Sequence, residues 1–173
     1  IEIECVVDSV LEENAHDILC SALVDDCIER GKSIKQGGAK YDWVSGLQVG
    51  IANLGNSLAA VRKLVFDQGA IGQQRLAAAL ADDFAGLDGE QLRQRLLNAA
   101  PKYGNDVDEV DRLLVRAYQT YIEELKQYRN TRFGRGPIGG GYYAGTSSIS
   151  ANVPFGAATL ATPDGRKAHQ PLA

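Results

Sequence analysis

Residues Ser147 to Phe155 alternate in polarity, with Ser148, Ser150 and Asn152 on one side and Ile149, Ala151 and Val153 on the other. That is the period of a β-strand, set in a chain whose other periodicity is helical. A lone strand presents a ladder of unpaired N–H and C=O groups and is not stable by itself. The chain therefore needs strand neighbours. Only Gly37 to Val44 offers another candidate, as a short strand or an extended loop too glycine-flanked for a helix.

The rest reads as helix. Val6, Val10, Leu11, Ile18, Leu19, Ala22, Leu23 and Ile28 recur at three- and four-residue steps, which predicts one helix over 6–28 with Gly31 as its C-cap. Gly46, Gly50 and Gly55 punctuate a loop, after which Asn56 or Ser57 serves as N-cap to a helix ending before Gly69. Two shorter helices follow, near Gln73–Phe84 and Gly89–Ala100, with Pro101 stopping the second. The longest carries Val107, Val110, Leu114, Ala117, Tyr118, Tyr121, Leu125 and Tyr128, with Asp108, Glu109 and Asp111 suited to its N-terminal dipole. Its tyrosines read as core. Seven of the 19 glycines then fall between Gly134 and Gly156, so Gly134–Gly145 reads as a flexible or tightly turning loop. Thr162-Pro163-Asp164-Gly165-Arg166 is a turn signature.

Composition narrows the function. With 18 basic and 22 acidic residues the net charge is −4, against the basic footprint that nucleic acid demands. No apolar run approaches the roughly 18 residues of a membrane span. Cys5, Cys20 and Cys27 are an odd set near one end, unlike a disulfide framework, and point to a reducing cytoplasm. The 173 residues include no methionine, so the expectation is a processed chain or a piece of a longer one. Ile1 to Glu4 lack the basic start of a signal peptide.

Chemical motifs are sparse. Gly134-Arg135-Gly136-Pro137-Ile138-Gly139 has the spacing of a dinucleotide fingerprint, but a helix precedes it, a strand follows it, and Pro137 removes a donor; it reads as a structural loop. His16, Cys20 and Cys27 share a helical stripe, yet Cys27 lies too far along for one ion, so no metal site is expected. Neither His16 nor His169 anchors a triad. Asp25-Asp26, Asp82-Asp83 and Glu123-Glu124 diverge on a helix and read as solvated faces.

Several blocks, in order, resemble the glycyl radical enzymes: Gly37-Gly38-Ala39-Lys40-Tyr41, Val49-Gly50-Ile51-Ala52-Asn53, Ser57 to Phe66, Pro101 to Asp106 with Asp111, Ser150 to Gly156, and Ala161 to Ala168. The set is most similar to the pyruvate formate-lyase-like branch of glycerol, diol and choline lyases. The resemblance implies an α/β fold, with residues 1–173 a single, mostly helical segment of a ten-stranded barrel: helices over 1–130, then glycine-rich loop, strand and turn over 131–173. The ends at Ile1 and Ala173 and the partnerless strand lead to the same expectation of an interior slice. The resemblance further implies radical C–O, C–N or C–C cleavage of a small substrate, dehydratase-like or formate-acetyltransferase-like, in an anaerobic cytoplasm. It implies a glycyl radical in the parent protein, installed by an S-adenosylmethionine radical activase, and a homodimer.

The departures matter as much. The family's catalytic cysteine lies in Gly-Cys-Val-Glu, whereas Cys5 stands in Glu4-Cys5-Val6-Val7. The radical glycine lies in Arg-Val-x-Gly-Tyr after the Thr-Pro-Asp-Gly-Arg block, whereas Gly141-Tyr142 precedes it and has Ile138 in the arginine's place. No catalytic residue is assigned, and these residues are expected to be inactive alone. The family commonly has aspartate where Asn56 stands, which leaves any role of that position in doubt. For substrate binding the candidates are Ser148, Ser150 and Asn152, whose hydroxyls and amide suit a small polyol, unless the opposite face of that strand lines the barrel. Tyr41 and Gln48 are weaker candidates, and Asp164 and Arg166 read as fixing a turn. The alternative is a non-catalytic scaffold or interaction subunit.

Overall fold

The computed structural model describes residues 2–146 and 149–173. Its elements run α1 (Glu2–Asn14), α2 (Ile18–Leu23), α3 (Cys27–Arg30), β1 (Tyr41–Gln48), α4 (Ile51–Ala60), α5 (Gln73–Ala81), α6 (Gly86–Ala99), α7 (Asp108–Leu125), β2 (Ile138–Thr146) and α8 (Asn152–Ala157). They fall into two compact units: Ile1–Leu47 with Thr120–Gly145, and Gln48–Gln119 with Thr146–Ala173.

The first unit holds the sheet. β1 and β2 pair in parallel: Ile138 N donates to Lys40 O at 3.2 Å, and Gly145, seven residues on, lies beside Ser45 and Leu47. Glycine is required where the strands meet. A Cβ on Gly139, at φ 141°, would strike the Asp42 carbonyl, and one on Gly141 would sit 3.0 Å from the Trp43 ring. The glycine-rich segment expected to be a loop is thus the second strand, because its glycines serve close backbone approach rather than turning.

The helix expected over 6–28 is three helices. Asp17 caps α2 by accepting from Cys20 N at 3.0 Å, and Asp26, at φ 75°, breaks the chain before α3. Gly31 does end α3, at φ 59°. Charged side chains join this unit together. Arg132 lies 2.5 Å from Asp8 on α1 and 3.4 Å from Asp42 on β1; Arg135 pairs with Glu12, and Arg30 donates to the Arg135 carbonyl. Tyr142 donates to Glu4, and its burial together with that bond pushes the phenol's pKa up. Of the tyrosines read as core, Tyr121 is half-buried and donates to Gly46 O at 3.2 Å, while Tyr128 lies beyond the end of α7.

The second unit holds the apolar core: Ala60, Leu64, Ile71, Leu76, Phe84, Leu92, Leu96 and Ala100. Each fully buried large side chain here contributes about 1.5–3 kcal/mol. α4 starts six residues before the expected Asn56–Ser57 cap, at Gly50 with φ 81°, and runs into a π-helical stretch over Val61–Asp67. Gly55, read as a loop residue, is buried inside α4, where its missing side chain admits Leu114 and Val110.

Of the strand expected over Ser147–Phe155, the first two residues lie outside the described ones, and the rest is not strand. Ile149–Ala151 is a 3₁₀ turn and Asn152–Ala157 is helix α8. Pro154 stands at the third helical position, where its missing N–H costs nothing because first-turn donors lack intrahelical partners. Alternation among residues as small as serine and alanine does not distinguish strand from a short helix.

Candidate functional site

The strand ends and α4 build one hollow. Gln48 closes β1, Thr146 closes β2, and Val49 to Ala52 lead into α4 between them. With Tyr103, Asn152 and Ala173 these residues enclose about 220 Å³. Gln48 and Thr146, the last residues of the two strands, both line it. The polar groups available are two side-chain amides, a threonine hydroxyl and a tyrosine hydroxyl, all able to donate and accept.

Tyr103 is placed by Asn56, whose Oδ1 accepts from Tyr103 N at 2.6 Å. The position that the resemblance left in doubt thus has a positioning contact that an amide oxygen can make as well as a carboxylate. One residue along the hollow's wall, Asn53 is buried and points the other way. Its Nδ2 donates to Asp164 Oδ2 at 2.7 Å, and its Oδ1 accepts from Ala173 N at 2.7 Å.

Asp164 and Arg166 are the hub of this wall, as expected of a fixed turn. Gly165, at φ 95°, makes the turn, closed by Thr162 N donating to Arg166 O at 3.0 Å. Asp164 accepts from Thr162 Oγ1 at 2.6 Å and from Arg166 N at 3.3 Å. Lys102 donates to Leu96 O at 2.9 Å and Asp164 O at 3.1 Å; burial pulls its ammonium pKa down while Asp164 opposes the shift. The Arg166 guanidinium is buried in a cage of carbonyls from Thr159, Leu160, Lys167 and Gln170, with Thr162 Oγ1 on its Nε. Asp83, read as a solvated charge, instead accepts from Ala168 N at 2.7 Å and ties down the tail.

Of the expected substrate residues, Asn152 reaches the hollow, at the start of α8. Ser150 is exposed in the 3₁₀ turn, and Ser148 lies outside the described residues. A common strand face therefore does not unite Ser150 and Asn152. Gln48 is in the hollow, and Tyr41 is exposed at the start of β1. Thr146 and Tyr103 were missed, although Tyr103 belongs to the Pro101–Asp106 block. Cys5 is half-buried within α1 and Gly141 is buried within β2, so neither stands on a loop. Among the described residues no three His, Cys, Asp or Glu side chains gather to hold a metal, and no helix is long and apolar enough to cross a membrane.

A family model described as pyruvate formate lyase-like matches residues 1–156. The chain belongs to that family. Among its pyruvate formate lyase-like relatives is the probable dehydratase YbiW of Escherichia coli, 85% identical over all of this chain and 21% of that protein. Solved structures align over nearly the whole chain. The glycerol-bound glycerol dehydratase from Clostridium butyricum gives a TM-score of 0.82 at 42% identity, covering 98% of this chain and 20% of that one. A glycyl radical enzyme from Archaeoglobus fulgidus gives 0.83 at 33% identity, covering all of this chain and 21% of that one. The chain spans about a fifth of the length of the relatives it matches. The fold is therefore a mostly helical α/β slice of a pyruvate formate lyase-like barrel.

Proposed function

We infer that residues 1–173 are one segment of a glycyl radical enzyme that removes water from a small hydroxylated substrate or cleaves a comparable C–O or C–N bond. The observation that carries this reading is the hollow that gathers Gln48, Tyr103, Thr146 and Asn152 in a chain of this family. The dehydratase names of the relatives support it. Gln48, Tyr103, Thr146 and Asn152 bind and orient hydroxyl groups, each as donor or acceptor, while Asn56 and Asn53 hold the wall. Ser148 and Ser150 are further candidates for the same role. The thiyl-forming cysteine and the radical glycine come from outside these residues, and an S-adenosylmethionine radical activase installs the radical. The remaining partners are the rest of the barrel and a second copy in a homodimer, in the anaerobic cytoplasm.

The test is made on the intact protein without oxygen. Treatment with a radical activase is expected to give a glycyl radical signal by electron paramagnetic resonance, and a protein that never gives one overturns the reading. With glycerol and 1,2-propanediol as probes, Asn152→Ala and Gln48→Ala are expected to raise KM about tenfold, the loss of one or two substrate hydrogen bonds. An unchanged KM in both variants removes the hollow from substrate binding.

A further inference from the structure

Two carboxylates in the first unit share one guanidinium unequally. Asp8 is 2% exposed and satisfied on both oxygens: Arg132 Nη2 lies 2.5 Å from Oδ1, and Thr131 Oγ1 donates to Oδ2. Asp42 is 7% exposed and is not. Its Oδ1 lies 3.4 Å from Arg132 Nη1, too long for a strong charge-assisted bond, and its Oδ2 is buried with no partner. Arg132 Nε is likewise buried without an acceptor. The nearby cation Arg135 is engaged with Glu12. Among the described residues Arg132 is the one cation paired with either of these buried carboxylates, and the less well hydrogen-bonded of the two is the one that more readily takes up a proton.

We propose that Asp42 is a proton-operated fastening of the glycine-rich strand: neutral Asp42 leaves Arg132 to Asp8 and lets β2 lie close on β1, and ionised Asp42 loosens that contact. The placement gives the coupling. Asp42 is the β1 residue whose backbone meets Gly139, and Arg132 belongs to the segment that enters β2 through Asn130, whose N donates to Gly140 O at 3.0 Å. The charged and titratable groups around Asp42 are Asp8 on α1, Cys27 on α3, Lys35 on a second 3₁₀ turn (Ile34–Gln36), and Arg132 and Arg135 on the entering segment. Burial dominates among them and raises the Asp42 carboxyl above its ordinary value, with Arg132 opposing. The sign follows. A carboxyl raised in the folded state binds a proton that the unfolded chain has released, so the fastening weakens as pH rises from the ordinary aspartate range through the raised value.

The experiment is amide hydrogen exchange in the intact protein between pH 4 and 8, corrected for intrinsic rates, read at Ile138 and Asn130. Wild type is expected to lose protection several-fold as pH rises, and Asp42→Asn, which keeps the shape and removes the proton, to hold high protection throughout. A flat wild-type profile overturns the proposal. So does an Asp42→Asn profile that falls as wild type does. Should Asp42→Asn not fold, the carboxyl carbon of Asp42 is followed by NMR in wild type; titration in the ordinary aspartate range overturns the proposal, and titration above it upholds it.

Discussion

Each unit of this chain buries charge, and the two do so by different means. In the second unit Arg166 has no carboxylate partner among the described residues; four backbone carbonyls and a hydroxyl take its donors, and Asp164 is held by Asn53, Thr162 and a backbone N–H. In the first unit Asp8, Asp42 and Arg132 depend on one another, and polar atoms are left over. A charge solvated by backbone dipoles keeps its environment whatever its neighbours do. A charge balanced by another titratable group inherits that group's pH dependence. The first arrangement suits the wall of a ligand hollow, the second a segment that responds to conditions.

The difference can be broken from the strong side first. Arg166→Ala removes every donor from the cage and leaves buried carbonyls unpaired, so denaturation of the intact protein should show a loss of about 3–5 kcal/mol. Arg166→Lys should recover only part, because three donors on a point charge cannot reproduce the planar fork. A loss below about 1 kcal/mol for Arg166→Ala would mean that the carbonyls find other donors.

The next pair of variants sharpens the contrast within the first unit. Asp8→Asn, which takes away the short 2.5 Å contact and leaves Arg132 only the 3.4 Å one with Asp42, is expected to cost about 3 kcal/mol at pH 7. Asp42→Asn should cost less than about 1 kcal/mol or stabilise, since it removes an uncompensated buried charge. Equal losses in the two variants, read by thermal unfolding, would mean that Arg132 serves both carboxylates alike. Asn56→Ala should cost about 1–2 kcal/mol through the Tyr103 N–H it leaves unmet, and Asn56→Asp should restore most of that. The smallest effect belongs to the surface: Arg112→Ala breaks an exposed pair with Asp108 and should change stability by less than about 0.5 kcal/mol.

Sequence made the apolar unit legible and the polar one opaque. The helices α5, α6 and α7 lie close to where their periodicity puts them, and α5 and α6 supply Leu76, Leu92 and Leu96 to a core built mainly of residues near in sequence. The Thr162–Arg166 turn was legible from its residue types. The hollow was half legible: Gln48 and Asn152 were named, but a strand was assumed where α8 begins, and Thr146 was passed over because β2 is written in glycine, where alternation carries no polarity signal. Gly50 and Gly55 misled in the same way, one starting a helix and the other letting Leu114 approach it. Nothing in the pattern joins Asp8 or Asp42 to Arg132, because such pairing depends on how distant segments fold together.

The cage around Arg166 also sets which changes this stretch of chain can absorb. Its acceptors are main-chain atoms of Thr159, Leu160, Lys167 and Gln170, so the guanidinium reads no side chain at those four positions. Leu160 is largely exposed, and natural variation there is free to follow whatever else it touches. The segment can thus drift at those four positions while Arg166, with Thr162, Asp164 and Gly165, keeps its path through space.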